Sequence, residues 1–581
     1  MPRIVGIGHQ DFEQMITSDN FYIDKTMFIK EWWENNDTVT LITRPRRFGK
    51  TLNLSMTEHF FSVKHSGRDD LFQNLSIWQE EKYRELQGTY PVIFLSFAGV
   101  KETSFPDARK SICQIIENLY NKYDFLLESD HLNEKEKKAY KNVSADMDHN
   151  LAANSLNTLS DYLMRYYGKK VILLLDEYDT PMQEAYVHGY WDELVPFIRN
   201  LFHSTFKTNP FLARAIMTGI TRVSKESIFS EYVTNSAGID NLHAHQCVSS
   251  FDLNNLTVVT TTSDLYAESF GFTQQEVWDA LEEYGLSAKK DEVRRWYDGF
   301  TFGNKTDIYN PWSIINYLKF AKFSPYWANT SSNSLVGKLI REGSADTKMV
   351  MEDLLSGKAL RTQIDEQIVF SQLGRRENAV WSLLLASGYL RVKQWSMDKR
   401  DRIIYELVLT NREVTLVFEQ MVEDWFSEFT PAYNQFLKAL LLDDKKAMNL
   451  YMNRVALTTF SYFDTGKHPS EAAEPERFYH GFVLGLMVDL AERYTITSNR
   501  ESGFGRYDVI LEPLSDTDDA IILEFKVHDP DEETSLADTA QEALDQIKRM
   551  KYSASLEAKG IPKKRIRQYG FAFEGKTVFI G

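Results

Sequence analysis

The segment RPRRFGKT, residues 44–51, closes on Gly49, Lys50 and Thr51 but opens on Arg44, where the pattern G-x-x-x-x-G-K-[ST] has glycine. The chemistry on offer is phosphate binding. A lysine at this place reaches the β- and γ-phosphates of a nucleotide, the Thr51 hydroxyl reaches Mg2+, and backbone N–H groups at a helix start face the anion. Arg44 precedes Pro45 and is biased toward extended backbone, so it can prolong a strand while Pro45 sets the entry bend; Arg44, Arg46 and Arg47, with Phe48 beside them, add positive charge around the phosphates. In VILLLDEYD, Asp176 suits Mg2+ held through water and Glu177 suits an attacking water that must be polarised. In TGITR, Thr218 and Arg222 stand where a γ-phosphate sensor and a charge-stabilising arginine would project, although a turn with a surface salt bridge fits these residues nearly as well. Toward the C-terminus, Asp508 and the E-x-K pair Glu524 and Lys526 offer two carboxylates for a metal and a cation for a phosphate.

The elements that must position these groups follow from periodicity. TVTLIT at 38–43 predicts a strand, and the residues after the loop have helical spacing at Leu52, Met56 and Phe60, which is the strand-loop-helix context of a phosphate loop. PVIFLSF at 91–97, VILLLDEYD at 171–179 and ARAIMTGITR at 213–222 predict further strands alternating with helices, hence a parallel sheet whose ligands lie at the C-terminal strand edges. In AIILEFKV, two-residue periodicity puts Glu524 and Lys526 on one face and Leu523, Phe525 and Val527 on the other; Asp508 opens the preceding strand GRYDVILEP. Charges in mid-strand are costly without a task. Upstream, Glu476 and His480 share a face of a helix whose apolar stripe is Phe478, Phe482, Leu486 and Leu490; Glu476 can add a metal carboxylate, while His480 reads as structural. Gln546, on the next helix, can touch substrate or the lysine. Lys559, Lys563, Lys564, Arg565 and Arg567 form a basic stretch that suits a phosphate backbone or, equally, a solvated surface.

A chain of 581 residues exceeds one hydrophobic core, and the pattern changes suggest regions 1–250, 251–465 and 466–581. The middle region contains WYDGFTFGNKTDIYNPWSIINYL, residues 296–318, where two short aromatic strands flank Gly303-Asn304 and a helix starts at Asn310-Pro311, a β-wing on a helical domain. With 43% apolar and 26% charged residues the composition excludes wholesale disorder. Cys113 and Cys247 form no C-x-x-C pair, which excludes a disulfide framework and a cysteine zinc site and suits a reducing cytoplasm. No run approaches the roughly 18–20 apolar residues of a membrane helix. The net charge of −17 argues against indiscriminate coating of nucleic acid, so any such contact must be local.

Taken together, FYIDKT, RPRRFGKTLNLSM, LLLDEYD, TGITRVSKESIFS, WYDGFTFG and YNPWSIINYL resemble the AAA-ATPase-like family of bacterial proteins, in order over roughly the first 340 residues. The resemblance implies an ASCE-type (AAA-like) P-loop NTPase, α/β with a parallel sheet, followed by a helical winged-helix-like middle region. Members often carry a C-terminal α/β PD-(D/E)xK nuclease-like domain. Asp508, Glu524 and Lys526 occupy the D, E and K places of that motif, and Tyr507 stands where its literal form has proline. The expectation is therefore an ATP-binding and ATP-hydrolysing protein coupled to a Mg2+-dependent nuclease, with nucleic acid as partner, DNA on the strength of the resemblance, and a homo-oligomer left open. The rivals are an NTP-operated switch and a winged-helix DNA-binding regulator, each with a C-terminal domain that binds without cutting. Metal-dependent cleavage separates the first from both.

Overall fold

The computed structural model describes residues 2–221, 255–327, 334–341, 345–355, 357–365, 377–427, 430–459, 483, 487, 490, 493–502, 505–529 and 533–581. Two compact units emerge, Met1–Val336 with Ala359–Val417, and Gly337–Lys358 with Phe418–Gly581. In the first, apolar runs form strands β1 (Val39–Thr43), β2 (Val92–Ser96), β3 (Val171–Asp176), β4 (Leu212–Gly219) and β5 (Leu256–Val259). They pair in the order β5-β1-β4-β3-β2, all parallel. Every position of β1 and β3 is buried, as a central parallel strand requires. Ile42, Ile172, Leu174 and Ile216 share one core with Phe28, Ile29 and Trp32 of the helix Met27–Asn35 and Leu54, Phe60 and Phe61 of the helix Lys50–Phe61. Because β4 lies between β1 and β3, a site that uses the phosphate loop and the acidic pair must span three strand ends.

The expected boundary at 250 is too early, since β5 completes the sheet beyond it. A four-residue edge strand has too short a period to be told from a loop in sequence. The wing forms as expected from β6 (Phe272–Thr273), β7 (Phe300–Phe302) and β8 (Lys305–Tyr309), an antiparallel sheet of order β6-β8-β7. Its turn uses Gly303 at φ 55°, where a side chain would also strike the backbone of Asp264. The helix Pro311–Phe320 starts where the Asn310 side chain accepts from the backbone N–H groups of Trp312 and Ser313. A further sheet, β9 (Leu360–Thr362), β10 (Leu390–Met397) and β11 (Ile403–Leu409), belongs to the same unit. Among the described residues, no helix is long and apolar enough to cross a membrane.

The second unit is built on β12 (Tyr494–Ser502), β13 (Gly505–Pro513), β14 (Ala520–Val527), β15 (Ile566–Glu574) and β16 (Thr577–Ile580), paired in chain order. Only the β14–β15 pair is parallel, and the helix Leu536–Arg549 lies in the connection between them. This unit also begins earlier than the expected 466. Phe436, Leu440, Met448 and Met452, from the helices Thr430–Leu441 and Lys445–Thr459, share a core with Ile521, Leu523 and Phe525 of β14. Asn449 and Asn453 bind the backbone of Ile580 and Val578 with their amides, each donating to a carbonyl and accepting from an N–H. The apolar stripe expected between 478 and 490 falls largely outside the described residues; Leu490 is buried, together with Val483 and Met487.

Gly570 sits opposite Glu524 in the β14–β15 register, and a Cβ there would overlap the Ala540 carbonyl oxygen of the crossing helix. The contact is with backbone, so the helix must shift. Gly570→Ala is expected to destabilise this unit by about 1–3 kcal/mol, the usual cost of overpacking, visible as a lowered midpoint of its thermal unfolding.

Candidate functional sites

The loop 44–51 answers its missing glycine with geometry. Arg44 continues the sheet, donating its N–H to the Gly219 carbonyl at 3.2 Å. The left-handed residues come later, Arg47 at φ 64° and Gly49 at φ 80°, so position 44 has no need of glycine. Gly49 N-caps the helix Lys50–Phe61 without a side-chain cap bond, which leaves that helix start for a ligand. Lys50 is 5% exposed and its ammonium donates to the carbonyls of Arg44 and Pro45 at 3.0 and 2.9 Å. Burial lowers its pKa despite the charges of Glu177, Asp176 and Asp179.

Arg44 does not meet the expectation of a phosphate-facing charge. It is wholly buried, and its guanidinium donates to the carbonyls of Thr43, Thr260 and Leu265 and lies over the Phe302 ring. Burial pulls its pKa down to about 9. It holds the end of β1 to the segment after β5, a role that its place in the motif conceals in sequence. Arg46 and Arg47 remain at the loop surface, half-buried and exposed respectively.

Three strand ends converge as the topology demands. The Thr51 hydroxyl donates to Asp176 Oδ2 at 2.6 Å, and Thr218, at the end of β4, donates to Asp176 Oδ1. Asp176 is 1% exposed, and burial raises its pKa against the two hydroxyl bonds that lower it. Glu177 follows at φ 49°, a strained conformation for a residue other than glycine. Its N–H donates weakly to Thr218 Oγ1 and its Oε2 accepts from Thr180 Oγ1 at 3.1 Å. Arg222 lies outside the described residues.

Two residues not singled out in sequence hold this geometry. Asp179, the last acid of LDEYD, is buried, and its Oδ2 accepts from the backbone N–H groups of Ile220 and Thr221 and from the Thr221 hydroxyl. Gln183 donates to Asp179 at 3.0 Å and accepts from Arg46 Nη2 at 3.3 Å, tying the turn after β4 to the loop 44–51. The third acid in one short run was the available sign. The wing also grips the loop. Phe48 packs on Phe300 and Phe302 with ring centroids 4.7 and 5.4 Å apart. Arg47 stacks on Trp312, and the Arg46 carbonyl accepts from Asn310 Nδ2 and Trp327 Nε1.

In the second unit, alternation along β14 is as expected: Ile521, Leu523 and Phe525 belong to one core, and Ala520 and Ile522 to the other, with Ile547 and Tyr552. Glu524 is 3% exposed and accepts from Gln546 Nε2; Gln546 also donates to the Tyr552 hydroxyl at 3.4 Å. Gln546 therefore positions the glutamate. Lys526 is half-buried two residues on. The register pairs Val509, the residue after Asp508, with Leu523, the residue before Glu524; the Asp508 side chain, like Glu476 and His480, lies outside the described residues. The basic stretch is largely engaged: Lys559 pairs with Glu512, while Arg565 and Arg567 pair with Asp519. Lys563 and Lys564 remain exposed on a short turn.

Residues 6–229 match the AAA-ATPase-like family, described as Predicted AAA-ATPase, and residues 474–581 match the PD-(D/E)XK nuclease superfamily. The chain is also similar to a protein of Azotobacter chroococcum mcd 1 named "Uncharacterized protein in vnfD 5'region", 25% identical over 393 residues. That likeness spans 67% of this chain and 64% of the relative's length.

Proposed function

From a chain that carries an AAA-ATPase-like domain and a PD-(D/E)XK nuclease superfamily domain, we propose an ATP-binding and ATP-hydrolysing cytoplasmic protein whose C-terminal domain cuts nucleic acid, DNA in the first instance. The observation that carries the ATPase half is the convergence of the Thr51 and Thr218 hydroxyls on buried Asp176, beside Lys50. A hydroxyl and a carboxylate oxygen 2.6 Å apart fit the all-oxygen shell of Mg2+, which when bound neutralises phosphate charge. Lys50 turns from its own loop carbonyls to the phosphates, Thr218 holds Asp176, and Glu177 takes the proton of the attacking water.

For the nuclease half, Glu524 and Asp508 would hold the metal with Glu476 as a third carboxylate, and a bound metal supplies Lewis-acid stabilisation of the phosphodiester. Lys526 stabilises charge on the phosphate, and Gln546 keeps Glu524 in place. The test is a cleavage panel of DNA and RNA with and without ATP and Mg2+. Metal-dependent cutting of either supports the proposal; no cutting under any combination leaves a switch that binds without cleaving.

The grip of Phe300, Phe302, Trp312 and Trp327 on the loop also favours the middle region as a reporter of nucleotide state. Amide hydrogen exchange across 296–318 is expected to slow at least about twofold on ATP binding, because loop contacts that breathe in the free protein are then held. Identical exchange with and without nucleotide refutes the relay.

A further inference from the structure

Behind the wing, on the side of β7 that continues from Asp298 and Gly299, lies a cavity of about 410 Å³, within the range of small-molecule sites. Its wall is polar and rich in cations. Arg294 is committed to Asp298 and Asp307, at 3.5 and 3.0 Å. The Asp298 carboxyl is pushed up to about 7, by burial first and then by the charge of Asp307. Together these three residues contribute little net charge. Arg295 and Arg391 also line the space, and among the described residues neither forms an ion pair with a carboxylate.

Two donor atoms of residues in this wall have nothing to receive them. Arg391 Nε and Asn411 Nδ2 are buried and lack an acceptor among the described residues. Buried donors rarely go unmet, and each such group is costly unless an acceptor arrives. Asn411 accepts from the Val414 N–H with its Oδ1 at 3.1 Å, capping the helix Arg412–Ser427, so its amide nitrogen is the end without a partner among the described residues. The positive end of that helix adds to the arginines. The wall is also tightly made, since a Cβ on Gly299, at φ 116°, would overlap the Thr410 carbonyl.

The geometry points to a binding site for a phosphomonoester, its oxygens received by Arg391, Arg295 and Asn411, separate from the phosphate loop. An oxyanion supplies the acceptors that the two buried donors lack and balances the two arginines. Phe300, next after Gly299, packs on Phe48 of the phosphate loop, so the site adjoins the element that grips the nucleotide. The phosphomonoester has two sources, a free sugar phosphate or the 5′-phosphate at a nucleic-acid end.

Isothermal titration of the full chain, with a non-hydrolysable ATP analogue saturating the phosphate loop, uses ribose 5-phosphate in one arm and a 5′-phosphorylated oligonucleotide with its unphosphorylated twin in the other. Binding of ribose 5-phosphate, or a preference for the phosphorylated oligonucleotide, that is weakened at least about tenfold by Asn411→Asp supports the site and identifies its source. That substitution keeps the helix-capping acceptor while placing an anion where the donor was. Arg391→Gln is expected to act alike, and thermal melts confirm that each variant is folded. Absence of binding in both arms overturns the proposal, as does binding that folded Asn411→Asp leaves unchanged. Neither result bears on ATP turnover, which is measured separately.

Discussion

Lys50→Ala is expected to weaken ATP binding by at least about 100-fold, and Glu177→Gln to leave binding nearly intact while lowering turnover by about 10²–10⁴-fold. The difference follows from where the two groups stand. Lys50 is buried and its ammonium closes the loop on the Arg44 and Pro45 carbonyls, so its removal takes away the cation proposed to meet the phosphates and loosens the loop itself. Glu177 lies beyond the Asp176–Thr51–Thr218 cluster, held by Thr180; in the proposed role its charge serves a proton transfer that occurs only during reaction. Calorimetry with a non-hydrolysable analogue and a phosphate-release assay separate the effects. Equal ATP binding by wild type and folded Lys50→Ala would remove the phosphate-loop assignment.

Asp508→Ala and Lys526→Ala are each expected to reduce cleavage in the panel at least about 100-fold while ATP hydrolysis stays within about twofold. Loss of an electrostatic group at a phosphoryl centre commonly costs a factor of 10²–10³, and the two proposed sites lie in different compact units. Gln546→Ala is expected to be milder. It frees the Glu524 carboxylate from one hydrogen bond without removing a charge. Cleavage that persists in Asp508→Ala or Lys526→Ala would place the cutting elsewhere, in the protein or in a contaminant. A parallel fall in ATP hydrolysis would instead show that the units are coupled in catalysis.

The sequence by itself placed the candidate chemical groups on their strands and loops, because the relevant signals are local. A lysine after a glycine at the end of a buried strand, an acidic pair at the end of another, and charges two apart in AIILEFKV are readable from spacing, since strand periodicity assigns each side chain to a face. The wing hairpin was legible for the same reason: Gly303-Asn304 between aromatic runs and the Asn310-Pro311 helix start are short-range devices. Tertiary structure decided which charges are free to act. Arg44 and Arg46 are near neighbours in one motif, yet the core takes the first to bond the carbonyls of Thr260 and Leu265, more than 200 residues away, and leaves the second at the surface. Asp179 became a brace for the turn after β4 only because β3 and β4 are neighbours in the sheet. Domain limits also depended on long-range burial, with β5 joining a sheet past 250 and Phe436 to Met452 joining a core before 466. Periodicity reports which face of an element is apolar; only the assembled chain reports what that face meets.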